Sequence, residues 1–358
     1  MAGNLKYFTG SIATAVIGIV FGAYIGHYYT GTTAGALQYA FIVFVLSILE
    51  ISLSFDNAVV NATVLKDMDA VWRHRFMTWG IAIAVFGMRI VFPVAIVSII
   101  ARVGPIDAVV LAATRPDEYS AIITSAHISV SAFGGAFLAM VGLKHFIDAE
   151  KDVFWISWFE RPLAKLGRVD AVQIGISLLL LWGVSTQLEE HEQLTFLVAG
   201  IGGLVTYIAV DGVSAFLDAS NDAAHDVAGA VVRSGLASFL YLEVLDASFS
   251  FDGVIGAFAL SNNLFVIAIG LGTGAMFVRS LTIMLVEKGT LAEYRYLEHG
   301  AFYAIIVLAV IMFLKTFVHV PEAVTGLLGA AFIVVSLWSS LRHNKREAAE
   351  RAADGGAA

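Results

Sequence analysis

An all-α, polytopic membrane helix bundle of about ten spans, containing an inverted-topology internal repeat, is predicted by three features of the chain. They are its composition, apolar runs along its whole length, and a polar motif that occurs twice. Hydrophobic residues make up 59% of the chain and charged residues 14%, against about 45–50% and about 25% in ordinary soluble domains. A helix needs about 20 apolar residues to cross a bilayer, and such runs recur from residue 7 to residue 341.

The first run, 7–27, lacks an arginine-rich start and is too long for a signal peptide, so it reads as a retained helix. Span 38–64 carries the first polar motif, "LEISLSFDNAVV", and span 77–101 carries Arg89 in "FGMRIVFP". Span 122–146 closes on Lys144. Asp170 and Thr195 are the expected N-caps of spans 170–187 and 195–217, the latter with Asp211 near its end. Span 234–260 holds the second motif, "YLEVLDASFSFDGVIGAFAL", and 264–286 holds Arg279 in "MFVRSLTI". Span 300–317 ends near Lys315, and Pro321 separates it from span 323–341. The segments 148–169 and 218–233 read as loops and 342–358 as a disordered cytoplasmic tail.

Lysine and arginine placement sets the orientation. One set of alternate segments holds Lys6, Lys66, Arg73, Arg75, Lys151, Arg161, Lys165, Arg168, Arg233, Lys288, Arg295, Arg342, Lys345, Arg346 and Arg351; the other holds only Arg102 and Arg115. Both termini are therefore expected in the cytoplasm, with the chain crossing the cell's inner (plasma) membrane many times.

The two motifs align as a repeat. Ser54-Phe55-Asp56 matches Ser250-Phe251-Asp252, Leu49-Glu50 matches Leu245-Asp246, and Ser52 matches Ser248. Each is followed by a Gly-rich span with one arginine, Arg89 or Arg279, and then by a span ending on a lysine, Lys144 or Lys315. The motifs lie on the second and seventh spans, and an offset of five spans inverts direction. The expected division is a first membrane repeat at 1–187, an inverted second repeat at 188–341, and the tail. In inverted repeats of this kind, sites lie near the bilayer midplane where the halves meet.

Glu50, Asp56, Asp246 and Asp252 would together cost on the order of 10 kcal/mol if they faced lipid, so they are expected to face a polar interior, an ion or buried cations. Along a continuous helix Glu50 and Asp56 differ by about 240° and share no face, whereas Glu50 shares one with Ser54, and Asp246 with Ser250. Unwinding near Phe55-Asp56-Asn57 and Phe251-Asp252-Gly253 would let carboxylates and carbonyls converge, and Gly253 makes the second break cheaper. The bland alternative is that the acids pair with Arg89, Arg279, Lys144 and Lys315 to hold the bundle together. With Glu243 and Asp211 included, the acids outnumber those cations and leave carboxylate for a substrate cation or for protons. Glu243 shares a face with Asp246 and is a candidate proton carrier; Asp211 is either a further ligand or a helix-end residue.

Other polar runs are weaker. "DASNDAAHD" (218–226) lacks the glycine and closing glutamate of an EF-hand and reads as a loop; "EEHE" (189–192) reads as a polar turn. His127, His145, His299 and His319 lack zinc-motif spacing. "GIGG" and "GLGTG" suit close helix packing and no Gly-Lys-Ser/Thr follows them. The chain has no cysteine, which removes disulfides and thiolate metal sites, and its net charge of −8 suits a cationic partner better than nucleic acid. No nucleophile–base–orienter set is visible, so an enzyme is not expected, and neither is a prosthetic group.

"LEISLSFDNAVV", "LDASFSFDGVIGAFALS" and "YRYLEHGAFYAIIVLAVIMFLK" resemble the paired motifs and late helix of the TerC (tellurium-resistance protein C) family, within the LysE-type transporter superfamily, and are closest to its domain-of-unknown-function branch. The resemblance covers about residues 38–146 and 234–318. It implies an integral membrane metal-ion exporter, with manganese as the substrate class, and by position it makes Asp56, Asn57, Asp246 and Asp252 the core ligands. Gly253 stands where that family commonly has serine. A possible homo-oligomer is compatible with this reading. Oxygen donors of this kind (Glu50, Asp56, Asn57, Asp246, Asp252, Ser54, Ser250) suit a hard divalent cation. A proton-coupled calcium or magnesium exchanger, and a non-transporting membrane scaffold for metal loading or stress response, remain open alternatives.

Overall fold

The computed structural model describes residues 2–80, 82–167, 171–222 and 235–355; the side chains of 2–4, 214–222, 251, 252, 292, 348 and 350–355 lie outside the described residues. Every regular element described is helical. The chain begins with α1 (Ala2–Thr30), α2 (Thr33–Leu53), α3 (Phe55–Lys66) and α4 (Ala70–Arg75). Two π-helical stretches, Phe76–Gly80 and Ile83–Val91, lead into α5 (Phe92–Ala101). Then come α6 (Pro105–Thr114), α7 (Pro116–Ser125), α8 (His127–Phe146), α9 (Ser157–Leu166) and α10 (Val172–Ser185). The remainder is α11 (Glu190–Asp222), α12 (Gly235–Ala257), α13 (Leu264–Glu287), α14 (Thr290–Glu293), α15 (Leu297–Leu314) and α16 (Glu322–Gly355).

Among the described residues, eight helices are long and apolar enough to cross a membrane. The two further spans expected from the sequence are α10 and α12. With 14 residues, α10 is only about 21 Å long, short of a bilayer core of about 30 Å. With 23 residues, α12 is long enough, but it carries Glu243, Asp246 and Asp252. Span 38–64 is cut at Ser54, whose backbone leaves the helical region (φ −105°, ψ 15°) and separates α2 from α3. The break falls one residue before the expected stretch. The matching break is absent: α12 runs unbroken through Phe251-Asp252-Gly253.

Other boundaries also move. Span 122–146 begins properly at His127, after α7 ends. Thr195 lies inside α11, which starts at Glu190, and Asp170 lies outside the described residues. Residues 218–222 of the expected loop continue α11, while 223–226 lie outside the described residues. Residues 342–355 of the tail expected to be disordered extend α16 instead, and 356–358 lie outside the described residues. The tail's Ala, Glu, Lys and Arg residues are strong helix formers, and Asn344 Nδ2 donates to the Glu293 carbonyl at 3.0 Å.

The two sequence halves are not separate bodies. From the second half, α13 packs against α1, α2 and α3 of the first, α16 packs against α2 and α3, and α15 packs against α8. The α2–α13 crossing depends on Gly270 and Gly274, a small-xxx-small pair that lets helices approach closely. A Cβ on Gly274 would sit 2.5 Å from Glu50 Cβ, and one on Gly270 2.5 Å from Leu46 Cβ. Gly274→Leu is therefore expected to force α13 off α2 and lower the melting temperature of the solubilised protein, at a cost of about 1–3 kcal/mol or more. Gly10→Leu, with nothing within 4 Å of its Cβ, should leave it unchanged.

One end of the bundle collects the basic segments. Lys66 pairs with Glu298 at 3.0 Å, Arg73 donates to the carbonyls of Leu65, Lys66 and Met68 at the end of α3, and Arg295 lies 3.3 Å from His343. The segment after α8 is clamped there by Glu160 of α9, which is fully buried. Glu160 accepts from the Ile156 amide at 2.9 Å and the Tyr303 hydroxyl at 3.1 Å, and pairs with Lys151 at 3.1 Å. Burial pushes the Glu160 carboxyl up, but the Ile156 N–H and the Lys151 ammonium outweigh it and hold the carboxyl below the usual range. A carboxyl held low lends stability that is complete above its unfolded value and lost as pH falls through its folded value. Acid is thus expected to release residues 148–167 first, seen as faster proteolysis there; Glu160→Gln should remove that pH dependence.

Candidate functional site

Halfway along α12, where the two polar motifs meet, a cavity of about 60 Å³ is lined by Glu50, Ser54, Asn57, Asn61, Arg89, Asp246, Ser250, Arg279 and Thr282, among others. Three pairs of this lining correspond in the sequence repeat: Glu50 with Asp246, Ser54 with Ser250, and Arg89 with Arg279. Each half contributes the same chemistry to opposite walls.

The cut at Ser54 ends α2 with Glu50 in its last turn and starts α3 with Asn57 and Asn61 one turn apart, on a common face. Glu50 is 2% exposed. Its Oε1 accepts from Ser54 Oγ at 2.9 Å and pairs with the Arg89 guanidinium. Arg89 is 4% exposed and comes from the π-helical stretch 83–91, where it also donates to its own helix at the Ala84 carbonyl. Single π turns are frequent at functional sites, because the widened turn re-aims one side chain. Opposite, Asp246 Oδ1 accepts from Asn57 Nδ2 and from Asn61 Nδ2, each at 2.9 Å. Arg279 donates to the Met77 carbonyl, so of the two arginines expected to hold the acids, Arg89 has a carboxylate and Arg279 a carbonyl.

Several polar atoms have no hydrogen-bond partner among the described residues: Asn57 Oδ1, Asn61 Oδ1, Ser250 Oγ, both oxygens of Glu243 and the Nε atoms of both arginines. An unpartnered buried polar group costs about 1–3 kcal/mol, so such a cluster within one bundle layer points to a ligand. Glu243, 8% exposed, lies one turn before Asp246, and a Cβ on Gly80 would meet its Oε1 at 2.9 Å.

The remaining expected residues fall elsewhere. Asp56 is buried but does not line the cavity; its Oδ1 accepts from the Asn57 amide at 3.0 Å, and its other oxygen faces Gly329 of α16. The 240° separation from Glu50 explains this, since one break at Ser54 does not undo it. The side chain of Asp252 lies outside the described residues. Asp211 pairs with Lys144 at 2.5 Å, both about half exposed, away from the central acids; hence neither is a ligand or counter-ion there. Lys315 Nζ reaches both oxygens of Glu322 at 2.9 Å. Asn61 and Thr282 were not anticipated. The signal for Asn61 was the Asn57/Asn61 spacing, which repeats one amide per turn inside an apolar run.

Two larger cavities flank the central one. One, of about 420 Å³, lies at the basic end and is lined by Lys66, Asp67, Lys144, Asp211, Ser238 and Glu298, among others. The other, of about 760 Å³, lies at the far ends of α12 and α15, with Ser120, Thr124, His127, Leu260 and Glu322 in its wall. Ser238 and Leu260 bracket Asp246 along one stretch of chain. Among the described residues no three His, Cys, Asp or Glu side chains cluster as a metal site.

Fold and site together define a polytopic, all-α membrane protein with a buried polar centre assembled from a repeated motif. Residues 55–347 match the family described as "Protein of unknown function (DUF475)", and the chain belongs to that family. No curated protein matches it, and neither does any solved structure.

Proposed function

We propose that the protein is a membrane transporter of a hard divalent cation, acting at the Glu50–Asp246 cavity, with manganese the first substrate to test. The carrying observation is that corresponding residues of the two repeats line one small cavity between two larger ones at opposite ends of the same helices. That arrangement fits a site reached alternately from either side. The donor set is carboxylate, amide and hydroxyl oxygen, which suits manganese, calcium and magnesium over copper(I) or zinc. Two carboxylates with amide oxygens in place of a third keep the donor charge low, and Arg89 neutralises Glu50 while no substrate is bound. Manganese over calcium rests on the resemblance to TerC proteins, which also supports export; the lysine and arginine placement supports cytoplasmic termini.

Proton-coupled calcium or magnesium exchange would use the same site, and the unpartnered Glu243 favours a proton partner. Flux from proteoliposomes loaded with manganese, calcium, magnesium or zinc, with a trapped pH dye, separates the readings. Manganese efflux is expected; zinc efflux with manganese neither carried nor competing would overturn it. No flux of any cation would favour the scaffold reading.

Because the chain has no cysteine, single cysteines report access directly. Asp67→Cys, at an exposed position in the wall of the first flanking cavity, and Ser120→Cys in that of the second are expected to react with a membrane-impermeant maleimide from opposite sides of sealed vesicles. Labelling of both from one side would contradict the two-mouthed arrangement.

A further inference from the structure

The segment between α8 and α10 read as a loop in the sequence, yet it contains the ten-residue helix α9, whose three faces have different chemistry. Glu160 and Ala164 point into the bundle and are buried. Trp158 (81% exposed), Phe159 (41%) and Leu166 (45%) fall with Pro162 in an arc of about 100° at 3.6 residues per turn. Arg161 and Lys165, both exposed, lie along one edge of that arc. Arg161 also stacks over the Phe154 ring at 5.7 Å.

The height of α9 in the bundle is fixed by its contacts. Val153 carbonyl is 2.8 Å from His299 Nε2, and Glu160 meets Tyr303, so the segment lies beside the first two turns of α15, which spans the apolar layer. Lys151 sits over the Phe146 ring at the end of α8. This is the level at which a membrane helix leaves the hydrocarbon. An apolar arc containing an exposed tryptophan, edged by basic residues and held beside that boundary, has the anatomy of an interfacial helix.

We propose that α9 is a lipid-binding element that seats Trp158, Phe159 and Leu166 among the acyl chains of the adjoining leaflet and pairs Arg161 and Lys165 with anionic phospholipid headgroups. Two observations choose lipid as the occupant. The exposed apolar arc lies beside the first turns of α15, a helix long and apolar enough to cross a membrane, and its charged edge is wholly basic. Anionic lipid attracts such residues electrostatically.

The cysteine-free full-length chain provides the test. Trp158→Cys and, separately, Leu166→Cys are labelled with an environment-sensitive fluorophore and reconstituted into vesicles of phosphatidylcholine alone or with phosphatidylglycerol. Glu189→Cys, whose position is 79% exposed, serves as the aqueous control. Both α9 labels are expected to be quenched by lipid-borne nitroxide and protected from aqueous iodide, more strongly when phosphatidylglycerol is present. Arg161→Gln with Lys165→Gln should abolish that dependence on lipid composition. Iodide quenching of both α9 labels equal to that of the control, in both vesicle types, would overturn the lipid contact. Identical shielding in the two vesicle types would overturn the headgroup pairing. Both readouts are independent of transport, so they stand or fall separately from the substrate assignment.

Discussion

Arg89→Leu is expected to lose most of its folded yield, and Arg89→Leu combined with Glu50→Gln is expected to recover it. The pair is buried on both sides, at 5% and 2% side-chain exposure. Deleting one member of a buried ion pair costs about 3–5 kcal/mol, because the remaining charge has no water to turn to. Neutralising Glu50 in the same chain removes that stranded charge. Size-exclusion profiles and melting temperatures of the two variants in detergent measure the effect. A single variant as stable as the parent would mean that the Arg89–Glu50 contact does not hold the fold together. Arg279→Leu should be milder, since its contact is to the Met77 carbonyl.

Asp246→Asn, and Glu50→Gln in a chain that also carries Arg89→Leu, are each expected to reduce cation flux by about 10- to 100-fold while the protein still inserts and folds. A hydrogen bond to a buried charged group is worth about 1.5–3 kcal/mol, and about 1.4 kcal/mol is tenfold in affinity. Asp56→Asn is expected to keep most of the flux, because Asp56 faces Gly329 across α16 and not the cavity. The contrast separates two assignments of the ligands. The resemblance to TerC proteins implies Asp56 as a ligand, whereas the helix geometry brings Glu50 and Asp246 to the cavity. Lost flux in Asp56→Asn with normal flux in Asp246→Asn would overturn the geometric assignment.

Helical phase accounts for most of what could be read in advance. Glu50 with Ser54, and Asp246 with Ser250, share faces by spacing alone, and these four line the cavity. The same arithmetic excludes Asp56, but only if a break does not rotate the following helix back, and that depends on tertiary packing at Ser54. The partners of Lys144 and Lys315 were out of reach: Asp211 and Glu322 are 67 and 7 residues away, and no periodicity announces such a meeting. The helix α9 was hidden by its own Pro162, a residue that argues against a helix interior. Glu160 accepts from the Trp155 and Ile156 N–H groups just before the helix start and so fixes where it begins. The tail went the other way, since polarity alone suggested disorder where helix propensity and the contact of Asn344 to Glu293 prolong α16.

The Arg89–Glu50 contact also bears on how tightly any cation can be held. A guanidinium carried on the same chain is a competitor that never diffuses away. A tethered group acts at an effective concentration set by its linkage, in the millimolar range even for short flexible linkers, and the helix carrying Arg89 is stiffer than those. On the proposed function an incoming cation would have to displace this resident one, so the observed affinity would be the intrinsic affinity divided by the preference of Glu50 for its own arginine. A site of high intrinsic affinity would thereby be held at a working affinity from which bound cation can be released. Each departure is assisted by the return of Arg89, so weak apparent binding in the parent and a tightly bound, slowly released cation in a variant lacking the guanidinium would be two views of one equilibrium.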